Sequence, residues 1–65
     1  MNDEQKVAYV YAQAVCAQIE LQAMLAENQS RAIRGLAQAW GEEQLLELQD
    51  KYCISHNAVL DLFQQ

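Results

Sequence analysis

The sequence predicts an all-α fold: a long N-terminal helix, then two or three short helices, gathered into a small helical bundle that forms a dimer. Three observations lead there. Proline is absent and glycine occurs only at Gly35 and Gly41, so no strong helix breaker interrupts the first half of the chain. Ala, Leu, Gln and Glu dominate, and all are good helix formers. No stretch alternates apolar and polar residues with the period of two expected of a half-buried strand.

Sixty-five residues allow one domain, here taken as residues 1–65. A chain this short buries only about 60% of its unfolded surface, so disulfides, a metal or a partner subunit usually support it. Cys16 and Cys53 are the only cysteines. Both stand among helix-suited residues without a loop-rich framework, which predicts reduced, small apolar side chains in a cytoplasmic chain. A Cys16–Cys53 bridge is the unsupported alternative. Residues 1–5 are acidic and polar where a signal peptide is basic. The longest apolar segment, residues 7–17, is interrupted by Gln13 and falls short of the roughly 20 residues that span a bilayer. No membrane association is expected.

The first helix is expected over residues 3–28, with Asp3 as cap and Asp3 and Glu4 favoured by the helix dipole. On a wheel of about 100° per residue it shows two apolar faces. One carries Ala8, Ala12, Val15, Ile19, Ala23 and Ala26; the other carries Val7, Val10, Ala14, Leu21 and Leu25. A polar line of Lys6, Gln13, Glu20 and Glu27 runs between them, and Gln18, Gln22 and Gln29 form a second strip near Tyr11. A surface helix of a monomer needs one buried stripe. Two stripes predict that one face meets its own chain and the other a second chain, making a homo-oligomer. The dimer interface falls on Ala8, Ala12, Val15, Ile19 and Ala23. The plainer alternative has the short helices wrapping both faces. Tyr9 and Tyr11 lie on different sides, which leaves at least one exposed or at a subunit contact.

A break near Ser30 is favoured over a helix running on to Trp40. Ser30 then caps a helix over 31–40 with Ile33, Leu36, Ala37 and Trp40 as its buried stripe. Gly41 serves as the stop. Glu42 and Glu43 open a helix over 42–53 that turns Leu45, Leu48 and Tyr52 inward, with Leu46 beside them. Ser55 caps a last helix over 56–64, with Val59, Leu62 and Phe63 inward.

Residues 45–64 resemble the helix-turn-helix unit of bacterial and phage regulators. Leu48, Tyr52, Ile54, Ser55, Val59 and Leu62 fall where that family places its packing residues. Gln49 departs from the small residue usual at the helix crossing, and Cys53 from the glycine usual in the turn. The resemblance implies a recognition helix with His56, Asn57 and Asp61 toward the major groove, where His56 and Asn57 would meet base edges. Charge argues against it. Nine carboxylates face four Lys and Arg residues, for a net charge of −5, whereas phosphate neutralisation supplies much of the affinity for DNA. Nucleic acid is therefore not the expected partner.

Other chemistry is sparse. Cys53 and His56 have the spacing of a zinc half-site or of a nucleophile with its base, but one histidine and two cysteines do not fill a zinc site. No orienting group or oxyanion hole accompanies the pair. The plainer reading makes Cys53 a buried turn residue and His56 an exposed helix start. Neither catalytic residues nor a cofactor are expected, and the chain reads as non-enzymatic. Glu43, Glu47 and Asp50 share one helix face, commonly a solvated one and otherwise a docking surface for a basic protein. Trp40, beside Arg31 and Arg34, is the remaining contact candidate. In size and acidity the chain resembles small accessory proteins of bacteriophages and mobile elements. That resemblance implies a protein that binds and modulates a host factor.

Overall fold

The computed structural model describes residues 1–64. Among them the chain is all-helical: α1 spans Asp3–Ile33, α2 Glu42–Leu46, α3 Leu48–Lys51 and α4 His56–Phe63. The cap of α1 is Asn2 rather than Asp3. Asn2 Oδ1 accepts from the Gln5 N–H at 2.8 Å, and Gln5 Oε1 accepts from the Asn2 N–H at 3.0 Å. This reciprocal pair satisfies donors that the helix itself leaves open.

The break expected near Ser30 is absent, and so is the helix over 31–40. α1 runs for 31 residues to Ile33 and is closed by Gly35, whose φ is +74°. The Leu36 N–H reaches the Arg31 carbonyl at 2.8 Å, and the Gly35 N–H reaches the Ala32 carbonyl at 3.1 Å. These are the two bonds of a Schellman motif, and only glycine adopts its left-handed position without strain. Ser30 stays in the helical ladder, its carbonyl accepting from the Arg34 N–H at 3.2 Å. With no helix there, Ile33, Leu36, Ala37 and Trp40 form no buried stripe; all four are exposed.

Asn28, expected near the helix end, holds the following loop instead. Its Oδ1 accepts from the Ala39 and Trp40 N–H groups, each at 3.0 Å, and its Nδ2 donates to the Trp40 carbonyl at 2.8 Å. Gly41 is not a stop but the extended residue that precedes α2; its N–H donates to Gln44 Oε1 at 2.9 Å. The helix expected over 42–53 is divided at Glu47 into α2 and α3. It closes at Cys53, which takes φ +55° while the Ile54 N–H bonds the Gln49 carbonyl at 2.9 Å. Cys53 is exposed rather than buried, and neither cysteine is bridged. Ser55 caps α4 as expected, accepting from the Ala58 N–H at 3.3 Å.

The chain after Gly35 runs back along α1 as one arm. Trp40 lies at Asn28, Lys51 and Tyr52 at Glu20, the Tyr52 carbonyl at Gln13, and Phe63 at Lys6. The result is a flat rod of 49 × 17 × 10 Å rather than a closed bundle. Its radius of gyration is 15.0 Å, against about 11 Å for a compact domain of this length. Ala17, Met24 and Leu48 are the buried apolar residues, and among the described residues no large side chain is fully enclosed.

Candidate protein interface

The side of α1 that receives the arm is neither of the two apolar faces expected. It is the polar line, interleaved with Val10 from the edge of the second apolar face and with three residues that belong to neither face. Lys6, Gln13, Glu20 and Glu27 alternate at 4–3 spacing with Val10, Ala17, Met24 and Arg31, and all eight are buried or half-buried. Three of the polar members are satisfied there by the arm, and Glu27 by its neighbour Arg31 on α1. Gln13 Nε2 donates to the Tyr52 carbonyl at 3.2 Å. Glu20 takes the Lys51 ammonium on one oxygen at 2.7 Å and the Tyr52 hydroxyl on the other at 2.5 Å. The Lys6 ammonium lies over the Phe63 ring, 5.8 Å from its centroid. Glu27 accepts from Arg31 Nε at 2.9 Å, one turn further along α1.

The Glu20 cluster has an electrostatic signature. The hydrogen bond from Lys51, then that from Tyr52, holds the Glu20 carboxyl below the usual carboxylate range. Lys51 and Tyr52 are both held above their usual values, chiefly by the same bond to Glu20. All three shifts favour the docked arm over the neutral range.

The opposite side of α1 differs in kind. Beyond its first turn the helix carries four charged residues, Lys6, Glu20, Glu27 and Arg31, and all four belong to the arm-facing stripe. The outward side from Gln5 to Ile33 therefore holds no charge. It repeats a 4–3 spacing of its own through Ala8, Ala12, Val15, Ile19, Ala26 and Ile33, with Gln22 and Gln29 completing the row. Val15 is 42%, Ile19 66% and Ile33 79% exposed. The expected interface residues Ala8, Ala12, Val15, Ile19 and Ala23 are thus all on the surface of the chain and share this side. The second apolar face is split: Val10 and Leu21 are half-buried at the edge of the arm, while Val7, Ala14 and Leu25 are exposed. Tyr11 is exposed on the outward side, and Tyr9 lines the groove beside α4.

Glu43, Glu47 and Asp50 are exposed along the α2–α3 edge, and Trp40 is 38% exposed at its start. Over residues 42–64 Lys51 is the one cation against five carboxylates, so the arm's free edge is acidic. His56, Asn57 and Asp61 are exposed on α4. An open groove of about 310 Å³ between α1 and α4 is lined by Tyr9, Cys53, Ala58, Asp61 and Leu62. Cys53 and His56 gather no further ligand or orienting group; among the described residues no three His, Cys, Asp or Glu side chains are grouped to hold a metal. No described helix is long and apolar enough to cross a membrane.

Neither a protein-family model, a curated protein nor a solved structure matches the chain.

Proposed function

We propose that this chain is a non-enzymatic protein-binding module. It self-associates along the outward side of α1 and offers the acidic α2–α3 edge to a basic protein surface. Such a module suits an accessory protein that modulates a host factor, the type resembled by its size and charge.

The absence of charge on the outward side of α1 carries this reading. A helix that faces water on one side normally places its charged residues there. Here they all lie on the arm-facing side, buried or half-buried, and uncharged side chains are left outside. That pattern is economical only if the outward side is itself covered. The acidic edge fits the second half of the reading, because clustered like charge speeds encounter with an opposite surface. Trp40 beside it supplies the aromatic anchor typical of energetic centres in interfaces.

Sedimentation equilibrium of the native chain and of Ala12→Glu tests the reading. The native chain is expected at twice its monomer mass or more in the micromolar range, and the variant at monomer mass. A native chain that stays monomeric at about 100 µM, with melting unaltered by Ala12→Glu, overturns it.

One feature favours the helix-turn-helix alternative. Cys53 adopts the left-handed conformation in the turn where that family uses glycine, and His56 and Asn57 are exposed at the start of α4. Against it, α4 bears no lysine or arginine and carries Asp61. A gel shift at low salt separates the two. Specific binding to duplex fragments that weakens steeply with added salt would replace protein binding with DNA binding.

A further inference from the structure

We infer that the occupant of α1's outward side is a second copy of this chain lying antiparallel to the first. The two-fold axis lies level with Ala17, and Val15 of each copy packs against Ile19 of the other. This rests on the self-association proposed above and adds its orientation and register.

Area, register and charge support it. The chain exposes 4973 Å², whereas a compact monomer of its mass exposes about 4,200 Å². The excess of roughly 800 Å² matches what one partner contributes to an interface of standard size. In the antiparallel register the outward row pairs like with like except where Ala12 meets Gln22. The branched Val15 and Ile19 meet at the centre, Ala8 meets Ala26, and Gln5 meets Gln29. At the ends Ile33 meets Met1, and the alanine layers allow close approach of the two backbones.

Charge then separates antiparallel from parallel. The acidic start of α1, Asp3 and Glu4, comes to the end that carries Arg34, and the two helix dipoles oppose each other. A parallel pair would set Glu4 beside Glu4 and Arg34 beside Arg34, with the dipoles aligned. Each arm lies on the far side of its own α1, so neither obstructs the contact.

Nitroxide labels read the orientation directly. Gln18→Cys and Ala32→Cys replace exposed residues, each made in a chain carrying Cys16→Ser and Cys53→Ser. Dipolar EPR should give a separation under about 20 Å at position 18. At position 32 it should give about 45 Å, because thirty residues of helical rise then lie between the labels. The mass of each labelled chain is measured alongside. Short separations at both positions in a dimer mean a parallel pair: the orientation fails and self-association stands. Long separations at both, at dimer mass, place the contact elsewhere and overturn both. Monomer mass with no dipolar coupling overturns self-association itself.

Discussion

The two long sides of α1 solve opposite problems with the same 4–3 spacing. The side facing the arm holds Lys6, Gln13, Glu20 and Glu27, buried or half-buried, and gives each a specific partner or ring. The outward side holds Ala8, Ala12, Val15, Ile19 and Ile33, and leaves them in water. Specificity and driving force have been separated. The polar row fixes where the arm sits, because a slipped arm would leave Glu20 and Gln13 without partners. It contributes little apolar burial, and among the described residues the buried apolar ones are Ala17, Met24 and Leu48. The outward row has the reverse character: ample apolar area with few directional contacts within the chain. An arm held by polar contacts and a rod covered by a second copy would make one stable unit from two under-buried ones.

The largest expected effect attacks the outward side. Ile19→Glu should give monomers and lower the thermal midpoint markedly, because the charge would enter the centre of the proposed contact. On an exposed position of a true monomer the same change stays within about 0.5 kcal/mol, so the size of the effect distinguishes the two cases. Calorimetry with sedimentation reads both. On the arm-facing side, Leu48→Ala removes the arm's most buried side chain, 7% exposed. It should cost about 2–4 kcal/mol in urea unfolding. A loss below about 1 kcal/mol would mean that the arm contributes little to stability.

Asn28→Ala comes next. It removes three hydrogen bonds to the loop and should cost about 1–3 kcal/mol, with amide protons of Ala39 and Trp40 exchanging faster. Cys53→Gly should act in the other direction. Relief of the left-handed backbone is worth about 1 kcal/mol, and a urea midpoint that falls instead would show that the turn is not strained.

The smallest effect is the pH dependence of the arm. Glu20 has a lowered pKa in the fold, so its contribution is present above its ordinary value of 4.5 and is lost as pH falls through the folded one. Lys51 and Tyr52 are raised, so theirs is present below ordinary values of 10.5 and 10.0 and is lost as pH rises through the folded ones. Glu20→Gln should flatten the acid limb of a stability–pH profile. An unchanged acid limb would remove Glu20 from the latch.

Much of the fold was legible from local chemistry. Helix propensity with no proline made the all-α class plain, and the caps at Ser55 and the acidic openings of α1 and α2 follow from side chains adjacent to the backbone they serve. The break at Ser30 was misplaced because two good local signals competed. A capping serine is optional within a helix, whereas a glycine in the left-handed region ends it, so Gly35 prevailed. The arm-facing stripe was misread for a different reason. Read alone, Lys6, Gln13, Glu20 and Glu27 look like a solvent-exposed line; interleaved with Val10, Ala17, Met24 and Arg31 they make a packing seam. Asn28 gave no usable signal, since its partners lie eleven and twelve residues away in a segment without helical periodicity.

By itself, the sequence determined that this chain is helical, that acids open α1 and α2 and Ser55 caps α4, and that α1 is apolar over more of its girth than one stripe requires. These depend on neighbours within a turn or two. Only tertiary structure decided which side of α1 the arm covers. That choice depends on whether distant polar groups can be satisfied together, and Lys51 and Tyr52 reach Glu20 only once Gly35 has turned the chain back.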